Sequence, residues 1–165
     1  MWIYNGMILE EPAEYVGFVY IIENLSNGMA YIGKKLFHFS KTKQVKGKKK
    51  RYKVESDWKD YYGSSDQLNE HVELFGKDNF RRTILRLCIS KGEMTYFEAK
   101  YQFEYGVLES NRWYNAHIMA RVHRKHLTFL KGVQNGASSQ KQTKKRTTKD
   151  RIGKTKSTSF EGSQT

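Results

Sequence analysis

Asn27-Gly28 separates two short apolar runs, Phe18–Ile22 and Met29–Ile32, and no other stretch restricts the fold as much. Val, Ile, Phe and Tyr suit a pleated, half-buried surface. Asn and Gly both tolerate the positive φ that a chain reversal needs. Gly17–Lys35 is therefore expected to form two antiparallel strands. Tyr20 and Tyr31 fall mid-strand, and Lys34 and Lys35 follow where the second strand should leave the sheet. An ordinary core hairpin carries the same pattern, so function has to be read from the rest of the chain.

Other elements follow from periodicity. Leu68, Val72 and Phe75 recur at helical spacing, with Gly63-Ser64-Ser65 as turn and cap and Gly76 at the far end, which predicts a helix over Asp66–Phe75. Phe80–Ile89 alternates loosely and reads as a third strand. Glu93–Leu108 is the clearest helix, with Met94, Phe97, Tyr101, Tyr105 and Leu108 in one stripe. Glu98 sits at the margin of that stripe, where an unpaired carboxylate is costly. A further hairpin signal surrounds Asn5-Gly6 and would pack on an edge of the main sheet. The expected class is α+β: a small, mostly antiparallel three-stranded sheet flanked by helices.

The chain has 165 residues and a formal net charge of +13. A charge of that sign and size calls for a polyanionic partner, nucleic acid before an anionic membrane. No apolar run approaches the ~20 residues of a spanning helix, and no basic-then-apolar leader opens the chain. Cys88 stands alone, which excludes an internal disulfide or a thiolate zinc site and suits a reducing, cytoplasmic setting. It reads as a small core residue. Lys41, Lys43, Lys48, Lys49, Lys50, Arg51 and Lys53 crowd a segment with almost no apolar residues, expected as an extended or mobile basic loop over 34–55 that contacts phosphate. Lys35 is placed with it. Residues 119–130 are expected as a basic helix, with Arg121, Arg124 and Lys125 toward phosphate. His117, His123 and His126 make a poor metal set among such neighbours. Residues 131–165 cannot bury enough apolar area to order and are expected to be disordered when free. The organisation expected is an extension over 1–15, a main domain over 16–118, the basic helix and the tail.

With these residues in view, the chain resembles the GIY-YIG nucleases. Phe18-Val19-Tyr20 stands at the first triplet, with Phe and Val replacing Gly and Ile, and Tyr31-Ile32-Gly33 matches the second. The resemblance implies a metal-dependent DNA endonuclease, most like the homing or phage-type members, acting on double-stranded DNA as a monomer or transient dimer. It implies Glu98 as the ligand of one divalent cation, Mg²⁺ or Mn²⁺, and Tyr31 as general base. A free tyrosine has a pKa near 10, so Lys34, directly after the triplet as in the repair branch, is expected to lower it. Tyr20 would help hold water or phosphate, and Asn115 matches the closing asparagine. The arginine that many members carry after the second triplet has no close counterpart. Arg51 is the first available, with Lys35 or Lys41 as substitutes. The competing reading is a non-catalytic nucleic-acid-binding protein, retaining this fold or of unrelated RNA-binding type.

Overall fold

The computed structural model describes residues 1–124. Lys125, the second half of the expected basic helix, and the expected tail lie outside the described residues. Strands β1 (Trp2–Tyr4) and β2 (Met7–Ile8) form an N-terminal hairpin, and β3 (Gly17–Asn24) and β4 (Ala30–Leu36) form the central one. Then come β5 (His38–Val45), β6 (Lys48–Glu55), α1 (Asp66–Phe75), β7 (Phe80–Cys88) and α2 (Lys91–Glu104). The main sheet has the order β2-β1-β7-β3-β4. β3 runs antiparallel to both neighbours, but β1 lies parallel to β7, with Trp2 opposite Arg82. The expected three-stranded sheet is thus corrected to five strands of mixed direction.

Trp2 accounts for the additional pair. Its ring packs on Phe18 and Tyr20 at 4.9 and 5.0 Å, and its indole N–H donates to the Trp58 carbonyl at 2.6 Å. A buried indole contributes a large apolar area and needs that polar partner. Arg82 closes the same corner. Its Nη1 donates to the carbonyls of Lys59 and Tyr61 at 2.9 and 3.1 Å, and its guanidinium lies over the Tyr62 ring at 4.2 Å. Arg82→Ala is expected to strand both carbonyls and lower stability by about 3 kcal/mol, on the order of 10 °C in Tm. Thermal unfolding followed by circular dichroism checks this; a shift within 2–3 °C contradicts it.

Both faces of β3 are covered. Phe18, Tyr20 and Ile22 point to the α1 side, into a core with Phe37, Trp58, Leu68 and Tyr114. Val19 points to the α2 side, with Ile32, Cys88, Met94 and Phe97. Cys88 is fully buried, and desolvation pushes its thiol up to about 12, so it is an inert core group. Helix α1 has the expected bounds, capped by Ser65, whose Oγ accepts from the Leu68 N–H. Helix α2 stops short of the expected Leu108. Gly106 takes φ +58° and turns the chain so that Val107, rather than Tyr105 or Leu108, enters the core. Residues 116–123 are not helical, which corrects the described part of the expected basic helix.

The basic loop is also corrected. β5 and β6 form a separate two-stranded antiparallel ribbon, turned by Lys46 and Gly47 at φ 48° and 75°. Phe39, Thr42, Val45, Tyr52 and Val54 supply the β-favouring residues. The lysines between them conceal the alternation.

Candidate active site

Strand β4 is the edge of the main sheet, and this position brings the expected site residues together. Side chains alternate across a strand. Register pairs Tyr31 with Ile22 on the α1 side, and Lys34 with Val19 on the α2 side, where Glu98 projects from α2. In an inner strand these groups would be separated by the sheet. At the edge they meet around its free side, in a pocket of about 450 Å³ lined by Tyr31, Lys34, Ser64, Glu98, Gln102 and Asn115.

The backbone of that edge is fixed by the chain after α2. The Ala30 N–H donates to the Arg112 carbonyl and the Tyr114 N–H to the Ala30 carbonyl, both at 2.9 Å. Asn115 continues the pairing with its side chain: Oδ1 accepts from the Ile32 N–H at 3.0 Å, and Nδ2 donates to the Ile32 carbonyl at 2.8 Å. Gln102 Nε2 donates to the same carbonyl at 3.0 Å. Asn115 therefore mimics one more residue of strand and holds Tyr31 and Lys34 at their spacing.

Lys34 Nζ forms an ion pair with Glu98 Oε2 on the pocket wall. The Glu98 side chain is only 14% exposed. Its burial raises the carboxyl above the usual range, and the ammonium and backbone of Lys34 pull it back down. Tyr31 Oη is 3.0 Å from Ser64 Oγ. Burial pushes this phenol above 10; the Ser64 hydrogen bond opposes the rise, and Tyr61 and the Glu98 charge add to it. The expected lowering of Tyr31 by Lys34 is thus corrected. The lysine is engaged by the carboxylate, and burial, followed by the nearby Tyr61 and Glu98, outweighs the Ser64 hydrogen bond and leaves the phenol raised.

Tyr20 is placed behind the pocket rather than in it. It is 1% exposed, its hydroxyl bonds Tyr61, and burial raises its phenol strongly. Its ring lies 6.2 Å from that of Tyr31, so it supports that ring and does not reach water or phosphate. Gly33 stands beside both rings. A Cβ there would lie 2.5 Å from Tyr20 Oη and 2.8 Å from a Tyr31 ring carbon. This gives the glycine of the second triplet a physical reason.

The other expected site residues separate into groups. Arg51 lies on β6, paired with Thr42 and exposed, and does not line the pocket. Lys35 is buried, its Nζ bonded to Asp57 at 2.7 Å and 3.4 Å from the Tyr61 ring centre. Its expected phosphate contact is corrected to an internal one, and it holds Asp57 below the usual carboxylate range. Lys41, Lys43, Lys48, Lys49, Lys50 and Lys53 are exposed along the ribbon, and Arg121 and Arg124 are exposed beyond the last core residues. His117 lines the pocket, yet no group of three His, Cys, Asp or Glu able to share a metal occurs among the described residues. Sequence reasoning missed Ser64, Tyr61 and Gln102. Each reaches the site across many residues, and no local pattern marks them.

The sequence profile of one protein family, described as "Putative endonuclease segE, GIY-YIG domain", matches residues 2–118. No curated protein matches the chain, and no solved structure does. The profile match takes in the N-terminal hairpin, the ribbon and every residue that lines the pocket up to His117.

Proposed function

The chain belongs to the GIY-YIG nuclease superfamily, and we propose that it hydrolyses phosphodiester bonds of double-stranded DNA in the pocket at the β4 edge, aided by one Mg²⁺ or Mn²⁺. The observation that carries the reading is the convergence of Tyr31, Lys34 and Glu98 around that edge. The donor set fits such an ion. Glu98 offers a hard carboxylate on the wall of an open cavity, and Mg²⁺ commonly binds through one or two carboxylates while keeping several waters.

Glu98 would hold the cation, which when bound supplies positive charge beside the phosphoryl and leaving oxygens. The chain's own groups do the rest. Lys34, released from Glu98, offers its ammonium to a non-bridging phosphate oxygen. Tyr31, pinned by Ser64, receives a proton from the attacking water when its phenol is ionised. Asn115 and Gln102 keep the strand between them rigid. Arg51 has no part in this chemistry.

The raised Tyr31 phenol sets the pH dependence. A base acts only when ionised, and below its pKa the ionised fraction rises tenfold per pH unit. Single-turnover cleavage should therefore climb with a slope of about one from pH 7 through 9. A plateau near pH 7 would assign the proton to another group. The reading itself is tested by supercoiled plasmid incubated with the full chain in Mg²⁺ or in EDTA. Nicked or linear product in Mg²⁺ alone supports it. Retained plasmid binding with no product under any divalent cation contradicts it and leaves a non-catalytic nucleic-acid-binding protein.

A further inference from the structure

We infer that the β5–β6 ribbon is a major-groove reader of duplex DNA, with the Thr42, Gln44, Lys49 and Arg51 face turned to the base edges. The inference rests on the nuclease reading for its partner, DNA, and adds where and how that partner is read.

An isolated two-stranded hairpin is marginal in water, and this one has charge against it. Between His38 and Val54 there are eight lysines and arginines and no carboxylate. Lys43 lies directly opposite Lys50, a like-charge pair that weakens a ribbon. Such a ribbon is stabilised when a polyanion lies along it. The major groove, about 12 Å wide, admits a two-stranded ribbon with phosphates on both sides.

The register gives the two faces different chemistry. Cross-strand partners share a face. Lys41 with Tyr52, Lys43 with Lys50 and Val45 with Lys48 occupy one face, continued at its root by Phe39. The other carries Ser40 with Lys53, Thr42 with Arg51 and Gln44 with Lys49. On this second face Thr42, Gln44, Lys49 and Arg51 line one concave patch. These are side chains that can read bases: arginine pairs with guanine O6 and N7, glutamine with adenine N6 and N7, and threonine meets the thymine methyl. Arg51, displaced from the pocket, thereby acquires a task.

The root of the ribbon ties reading to cutting. Phe37, between β4 and β5, is fully buried, and the Ser56 N–H donates to its carbonyl at 2.8 Å. Phe39 shares a groove with Lys34, which also lines the catalytic pocket. Eight residues at about 3.3 Å each place the ribbon tip roughly 25 Å from that root. The bond cut should therefore lie at a fixed offset, within about one helical turn of the bases read.

The test is selection by the full chain, in EDTA, from duplexes with a randomised core, followed by sequencing of the bound fraction. Wild type should enrich a motif containing guanine. Arg51→Ala removes every donor and should lose the guanine while lowering the salt slope of binding by only about one; Gln44→Ala should lose a second position. Replacing the selected guanine by 7-deazaguanine should weaken wild-type binding roughly 5- to 150-fold and leave Arg51→Ala unaffected. No enriched motif in wild type, a motif unchanged in both variants, or indifference to the deaza base would each overturn the inference. Because the assay needs no cleavage, such a failure leaves the plasmid test of the nuclease standing. A motif found beside an inactive pocket would overturn the nuclease reading alone.

Discussion

Glu98→Ala should bind duplex DNA at least as tightly as wild type and cleave it about a thousandfold more slowly in Mg²⁺. The carboxylate is the acidic side chain placed against Lys34 on the pocket wall. On the proposed mechanism its removal takes away the cation ligand, and the charge stabilisation that an ion supplies is worth several kcal/mol, where about 4 kcal/mol corresponds to a thousandfold. Binding should hold or improve, because a negative charge is taken from a surface that meets phosphate. The fold should survive: the Lys34 side chain left behind is 34% exposed and lines an open pocket, so its ammonium can turn to water. Gel-shift affinity and single-turnover cleavage on one preparation separate these effects. Cleavage that persists within tenfold of wild type removes Glu98 from the mechanism.

Tyr31→Phe should cost about 10²- to 10⁴-fold in cleavage, the range for loss of a positioned proton acceptor. The ring stays, so its packing near Tyr20 and Gly63 is kept. Only the hydroxyl contact to Ser64 is lost, a bond worth about 0.5–1.5 kcal/mol, so Tm should move by a few degrees at most. The variant should also lose the rise of rate with pH. If rate and pH profile both match wild type, Tyr31 is a packing residue and the proton goes elsewhere. Tyr20→Phe gives a contrast, because its hydroxyl is buried against Tyr61 and never meets the pocket.

The parts of this molecule legible in its sequence are those that local rules decide. The central hairpin follows from Asn27-Gly28, and α1 from Ser65, Gly76 and three apolar residues at helical spacing. Tyr31, Lys34, Glu98 and Asn115 could be aligned through the family resemblance, and all four line one pocket. The remaining parts depend on long-range contacts or on mixed patterns. β1 joins β7 because Trp2 finds Phe18, Tyr20 and Trp58 far along the chain. Nothing local announces the ribbon, because lysines occupy both of its faces and leave no apolar stripe. For Arg51 only the family pattern points to the pocket, and no local signal in the chain places it there. Lys35 has the basic arm for its neighbours in sequence, whereas strand alternation turns it into the core, against Tyr61. The same alternation sends Tyr31 and Lys34 to opposite faces, and only the edge position of β4 reunites them. Strand order is a property of the whole fold.

A crystal structure of the full chain with a duplex and Ca²⁺ in place of Mg²⁺ tests the central claim most directly. The expected result is a cation on the Glu98 carboxylate, Lys34 turned from Glu98 to a phosphate oxygen, and Tyr31 Oη about 3–3.5 Å from a water facing that phosphate. A duplex bound elsewhere, with the Lys34–Glu98 pair intact and no phosphate at the β4 edge, would contradict it.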